Sequence, residues 1–159
     1  MWTVMESPIG ELRIVEQDGA ITAIEFSPFR DHDGRPRGER NDAAPVLVET
    51  VRQLRAYFDR DLKDFDLPLA PRGSQFQRSV WDQLCLIGYG DTASYGQIAQ
   101  RLGKTNAASR AVGLANGSNP IPIVIPCHRV IGADGTLTGY AGGIERKQAL
   151  LELEQDALF

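Results

Sequence analysis

Ile121-Pro122-Ile123-Val124-Ile125-Pro126-Cys127-His128-Arg129-Val130 is an apolar run that ends on a proline and then presents a cysteine and a histidine together. The segment Ile121–Ile125 reads as a short buried strand. Pro126 has no backbone donor and stops regular pairing there. Cys127 then sits where a buried segment surfaces, held rigidly yet reachable. A cysteine is a nucleophile only as thiolate, and His128 and Arg129 place one titratable and one permanent positive group next to it in sequence. Neighbours in extended chain point to opposite faces, so a bridging water is the expected relay between His128 and the sulfur.

The flanking sequence supplies a frame for this segment. Ser74 with Gln77 and Ser94 with Gln97 are capping boxes, each opening a helix. Phe76, Val80, Leu84 and Ile87 form the buried face of the first, with Trp81 and Cys85 flanking it and Cys85 expected to be inert packing. Ile98, Ala99 and Leu102 mark the second, which Gly103 ends. Thr105 or Asn106 is expected to cap a third, running through Asn116 to Gly117. Two short helices joined by a glycine-containing turn are the pattern of a helix-turn-helix. In the second of these, Asn106–Asn116, side chains are small and Arg110 is the one charged residue. The last helix is expected over about Ile144 to Gln155, with Glu145, Gln148 and Glu152 on its polar stripe. Glu154 falls on the side of Leu150 and Leu151, where a carboxylate needs a partner, and is a candidate orienter for His128.

The first half is plainer. Leu12 and Ile14 alternate with Arg13 and Val15, and Asp18-Gly19 signals a hairpin, so residues 2–26 are expected to be antiparallel strands. Residues 27–44 read as a mobile solvated loop. Pro45 suits a first helical turn, and Leu47, Val51, Leu54 and Phe58 fall on one stripe. Prolines 68 and 71 suggest a linker, giving domains 1–66 and 74–159 joined by 67–73.

Composition narrows the function. The chain of 159 residues carries a net charge of −4, divided as −5 over residues 1–71 and +1 over 72–159. A polyanion is expected to meet the second half, with a modest electrostatic footprint. There is no apolar run of membrane-spanning length and no secretory signal pattern, so a cytoplasmic location with no membrane partner is expected. Two cysteines and two histidines at scattered spacing give no support for a metal site, and no cofactor is expected.

Ser118–Val130, S-N-P-I-P-I-V-I-P-C-H-R-V, resembles the active-site segment of the O6-alkylguanine-DNA alkyltransferases. The segments F-Q-R-S-V-W and G-Y-G-D-T-A-S-Y-G-Q-I-A, and the glycine-rich T-L-T-G-Y-A-G-G, resemble the same family in the same order. The resemblance implies an α+β fold: an N-terminal ribonuclease-H-like domain of sheet and helix, and a C-terminal helical domain with a winged-helix-like helix-turn-helix. It implies a monomer, able to cluster on DNA, that acts on double-stranded DNA carrying O6-alkylguanine. By the same resemblance Cys127 accepts the alkyl group, His128 withdraws its proton through water and Glu154 orients His128. Arg110 is the finger that fills the stack, Tyr95 lies near the damaged nucleotide, and Asn119 belongs to the turn before the active-site segment. Tyr140 and the backbone of Val130 and Ala141 surround the guanine, Ala141 standing where some relatives carry serine. The Lys104–Ala107 connection is one residue longer than in some relatives, and the N-terminal zinc ligands of others are missing. A papain-like acyl transferase, the other chemistry open to a cysteine and a histidine, lacks its cysteine signature here.

Overall fold

The computed structural model describes residues 1–155 and divides into two compact units, Met1–Pro71 and a second beginning at Arg72. The first unit is a three-stranded antiparallel meander, β1 (Trp2–Met5), β2 (Leu12–Gln17) and β3 (Ala20–Phe26), with helix α1 (Pro45–Phe58) against it. The Asp18-Gly19 turn has φ of 53° and 81°, the two left-handed residues of a twist-matched hairpin.

The alternation in β2 is not a simple inside–outside pattern. Arg13 is buried together with its apolar neighbours. Glu25 accepts from two of its guanidinium nitrogens at 3.2 and 3.1 Å, Asp31 accepts from a third at 2.6 Å, and the rings of Trp2 and Phe29 lie 5.6 and 4.8 Å away. Arg37 pairs with the same Glu25 and with Asp33. Hydrogen bonds from Trp2 N to Glu39 O and from Asn41 N to Trp2 O tie the chain near residue 40 to β1. The stretch expected to be a mobile solvated loop is thus anchored by charge pairs and backbone bonds. The stripe on α1 is also turned from the expected one. Leu47, Thr50, Gln53, Leu54 and Tyr57 are buried, while Val51 and Phe58 are only half-buried. The polar members can be buried because each is satisfied: Thr50 donates to Val46 O, and Gln53 bonds Asp66 N and O. Part of the expected linker runs beside β3, with Ile21 bonded to Pro68 O and Ala70 N.

The second unit contains α2 (Gln75–Leu84), α3 (Tyr95–Arg101), α4 (Ser109–Gly117) and α5 (Ile144–Gln155). A short parallel pair, β4 (Ala93–Ser94) with β5 (Val130–Ile131), joins the start of α3 to the chain just after Cys127. Both capping boxes are complete, with reciprocal side-chain and backbone bonds. The helix after Gly103 opens as a 3-10 turn, Asn106–Ala108, and becomes α-helical only at Ser109. Thr105 makes no side-chain cap there, and the tighter turn takes up the orphan donors. Trp81 is buried and donates through Nε1 to Ala115 O at 2.8 Å, fixing α2 against α4. Cys85 is exposed at the end of α2 instead of packed.

Ile121–Ile125 is buried as expected but is not a strand. Pro120, Pro122 and Pro126 remove three donors, so no ladder can form. The chain coils on itself instead: Val124 N bonds Pro122 O, Ile125 N bonds Ile121 O, and Ile123 sits at φ +74°. That conformation costs a β-branched residue on the order of 1–3 kcal/mol and persists only where packing over-determines it. Asn119 acts in place of a neighbouring strand, accepting from Ile121 N at 3.0 Å and donating to Ile125 O at 2.8 Å.

Because Trp81 fills the space between α2 and α4 and its indole N–H is bonded inside it, substitution is expected to act on stability first. Trp81→Phe should cost about 1–2 kcal/mol and Trp81→Ala about 3–5 kcal/mol in urea unfolding of the second unit. An unchanged midpoint for both would show that the contact contributes nothing.

Candidate active site

The coiled turn delivers Cys127 to the start of a 3-10 turn, Cys127–Arg129, all three residues buried. Burial pushes the Cys127 thiol up to about 11, against the opposing hydrogen bond of Asn119 and the charge of Lys147. At neutral pH the resting group is therefore a thiol. Its ionisation at pH 7 then costs roughly 5 kcal/mol, which a proton acceptor must supply.

His128 and Arg129 do not flank the sulfur as a pair of charges. The 3-10 turn sends both side chains to one carboxylate, Glu154 of α5. His128 Nε2 lies 2.7 Å from Glu154 Oε2. Arg129 donates from Nε to Oε1 at 2.9 Å and from Nη2 to Oε2 at 3.1 Å, and its Nη1 donates to Ile87 O at 2.6 Å. Burial alone would raise the Glu154 carboxyl, but the bonds from His128 and Arg129 outweigh it and hold it at about 2. An ionised carboxylate only accepts, so Nε2 carries the imidazole proton and Nδ1 keeps its lone pair. Burial lowers the His128 pKa despite the carboxylate, so the ring is neutral at pH 7. Among the described residues its Nδ1 has no hydrogen-bond partner.

Helical phase placed Glu154 correctly: it is buried with Leu150, while Glu145, Gln148 and Glu152 are exposed. The same phase holds for Lys147, three residues before Leu150 and seven before Glu154, which sequence reasoning missed. Lys147 is fully buried and donates to two carbonyls, Val130 O at 2.6 Å and Thr138 O at 2.8 Å. It clips β5 to the glycine-rich loop, and burial lowers its own pKa while the cysteine's charge opposes that. Asn116, also missed, is buried on α4 and donates to Cys127 O at 3.3 Å.

The remaining residues fall into two groups. Asn119 and Val130 join the cluster directly, the one through the coiled turn and the other through Lys147. Tyr95 opens α3 half-exposed, its hydroxyl 2.6 Å from Thr138 Oγ1. Tyr140 is half-buried and Ala141 exposed in the loop before α5, where Gly143 N bonds Tyr140 O. Arg110 lies apart from the cysteine cluster, exposed on α4 on the same face as the exposed Ala111 and Leu114.

Two family profiles match the chain: the 6-O-methylguanine DNA methyltransferase ribonuclease-like domain over residues 1–71, and the DNA binding domain of the same proteins over 75–156. Among curated relatives, the methylated-DNA–protein-cysteine methyltransferase of Mycolicibacterium paratuberculosis is 49% identical, covering 97% of this chain and 92% of its own. That of Methanosarcina barkeri is 46% identical, covering 99% and 98%. The solved structure of Mycobacterium tuberculosis O6-methylguanine methyltransferase superposes with a TM-score of 0.91 at 46% identity, covering 99% of this chain and 94% of that one. A structure of the same protein in complex with DNA gives 0.90 at 46% identity, covering 98% and 93%. No helix among the described residues is long and apolar enough to cross a membrane. With an N-terminal ribonuclease-like unit of sheet and helix, a helical DNA-binding unit and both profiles matched in order, this α+β chain belongs to the 6-O-methylguanine DNA methyltransferase family.

Proposed function

We propose that this protein repairs DNA by moving the alkyl group of O6-alkylguanine onto Cys127, in one irreversible turnover. The observation that carries the reading is the proton path: a neutral buried thiol beside a neutral histidine whose Nε2–H is committed to Glu154. The Cys127 proton passes through one water to His128 Nδ1, and Glu154 stabilises the imidazolium that forms. The thiolate attacks the saturated carbon on guanine O6. A sulfur–carbon bond forms, the carbon–oxygen bond breaks with its electron pair on oxygen, and the guanine anion takes a proton at a ring nitrogen. General base catalysis of this kind is worth about 10²–10⁴ in rate, the scale that a thiol at about 11 demands. The product thioether has no carbonyl for water to attack, so the protein is consumed.

A base inside a duplex cannot reach a buried sulfur, so the nucleotide is rotated out of the stack at a cost of a few kcal/mol. Arg110 supports this step as the one long cationic side chain among small neighbours on the exposed face of α4, free to fill the gap. Tyr95, Tyr140 and the backbone of Val130 and Ala141 line the base, and donors aimed at the leaving guanine lower the barrier. Asn119 holds the turn that presents the cysteine. The near-neutral second half supports weak, salt-sensitive binding of double-stranded DNA, and in this reading the protein acts as a monomer. An acyl transfer would use the same cysteine and histidine but would release a hydrolysable thioester and regenerate the thiol.

Incubation with excess O6-methylguanine duplex should add one methylene mass per chain, mapped to Cys127, with the exposed Cys85 left unmodified. Cys127→Ser should bind the duplex and gain no mass. Repair of more than one equivalent with Cys127 unmodified would return the acyl-transfer chemistry to contention.

Glu154→Gln should slow single-turnover transfer about 100-fold with DNA affinity nearly unchanged, whereas Glu152→Gln should do neither. Wild-type rates should be flat across neutral pH and fall only below the ordinary histidine value of 6.5, because burial lowers the His128 pKa. A rate that falls as pH drops from 8 to 7 would contradict the neutral-histidine base.

Arg110→Ala should lower the rate on duplex far more than on the free modified base, since only the duplex has a stack to refill. Equal losses on both would remove the finger role.

A further inference from the structure

One polar contact at the site has no place in the proton path: the 2.6 Å bond between Tyr95 Oη and Thr138 Oγ1. Its surroundings define what it can do. Tyr95 follows β4 immediately, so its backbone is set by the pairing of Ala93 and Ser94 with Val130 and Ile131. Its ring rests on α4 at Gly113, where a β-carbon would stand 3.7 Å from two ring atoms. Thr138 is fixed from the other side, its carbonyl accepting from Lys147, which also holds Val130 O. The threonine hydroxyl is thus presented on a backbone anchored to the same β5 residue that follows the Cys127 turn. Two independent tethers converge on one pair of hydroxyls.

We propose that Thr138 is a positioning residue for alkyl transfer, donating its hydroxyl proton to Tyr95 so that the tyrosine proton is aimed at the departing guanine; this rests on the alkyl-transfer reading above. The direction follows from donor counting. Each hydroxyl has one proton. Once the tyrosine commits its proton to a ring nitrogen of the base, the 2.6 Å contact survives only with Thr138 as donor. Hydrogen bonds in series polarise one another. A tyrosine that receives a bond from Thr138 is therefore a stronger donor to a base that gains negative charge as its carbon–oxygen bond breaks. In the free protein the same contact holds the phenol in place, so the ordering is complete before the nucleotide arrives.

Thr138 is exposed, and its carbonyl bond to Lys147 does not use the side chain, so Thr138→Val removes only the hydroxyl. Single-turnover transfer to Cys127 from O6-methylguanine duplex should slow about tenfold in Thr138→Val and stay within about threefold of wild type in Thr138→Ser, the size of one hydrogen bond. In Tyr95→Phe the valine change should cost nothing further, because the relay has already lost its middle member. Methylation of Cys127 by iodomethane has no guanine to leave, so its rate should be the same in wild type and Thr138→Val. Full duplex activity in Thr138→Val, an equal loss with iodomethane, or additive losses in the double variant would each overturn the proposal. A fully active Tyr95→Phe would overturn it too, while leaving transfer to Cys127 intact. Wild-type protein that gains no methyl from the duplex would instead overturn the alkyl-transfer reading itself.

Discussion

Glu154 is the group on which the site depends. A lone buried carboxylate would be driven neutral by the loss of water. Here three donors from the Cys127–Arg129 turn converge on it, one from His128 and two from Arg129. That keeps it ionised, and the ionised form then fixes the histidine tautomer. The arginine contributes by holding the carboxylate, not by charging the sulfur. Removing either donor residue would leave a buried negative charge short of partners, a far larger penalty than the pair itself is worth. The helix α5, the 3-10 turn and the turn after α2, through Ile87 O, are joined at this one point.

A second constraint lies just before the cysteine. Three prolines in seven residues leave the buried segment 120–126 short of donors, and a strand there would have no ladder to join. The fold satisfies the segment through its own turns and the two ends of one amide, Asn119. The same arrangement forces Ile123 into the left-handed region. Local strain of this kind is tolerable because the flanking residues Ile121, Val124 and Ile125 are buried and cannot relax outward. The cysteine is presented by a wound backbone that has few alternatives, which suits the single transfer proposed for it.

How much of this was legible depended on whether the deciding contact was local. Capping boxes at Ser74 and Ser94 and the Asp18-Gly19 hairpin are local rules, and each forms as read. Helical phase placed Glu154 inward, and applied equally to Lys147 it would have found that residue as well. The lysine is harder to read because its residue type suggests exposure, while its two carbonyl partners are distant in sequence. Ile121–Ile125 failed as a strand because apolar runs report burial and not backbone path. Val51 and Phe58 failed as core because Thr50 and Gln53 found polar partners that no periodicity reveals. The direction of the Arg129 side chain follows from a 3-10 turn, where extended chain would have sent neighbouring side chains to opposite faces.

The two units use the same residue types to different ends, and the dielectric decides which. In the first unit the network grades outward, from buried Arg13 through half-buried Glu25 and Arg37 to exposed Asp31 and Asp33. Pairs at its exposed rim are each worth at most about 1 kcal/mol and are screened by salt. Their effect is to pin a polar segment against the sheet. Around Glu154, His128 and Arg129 are both buried, and the same Arg–carboxylate geometry sets protonation states instead of merely holding a loop. With the carboxylate committed to Nε2, Nδ1 is the imidazole nitrogen left with a lone pair, and in the proposed transfer it takes the thiol proton. The direction proposed for that proton thus rests on burial of a salt bridge, set before any substrate is bound.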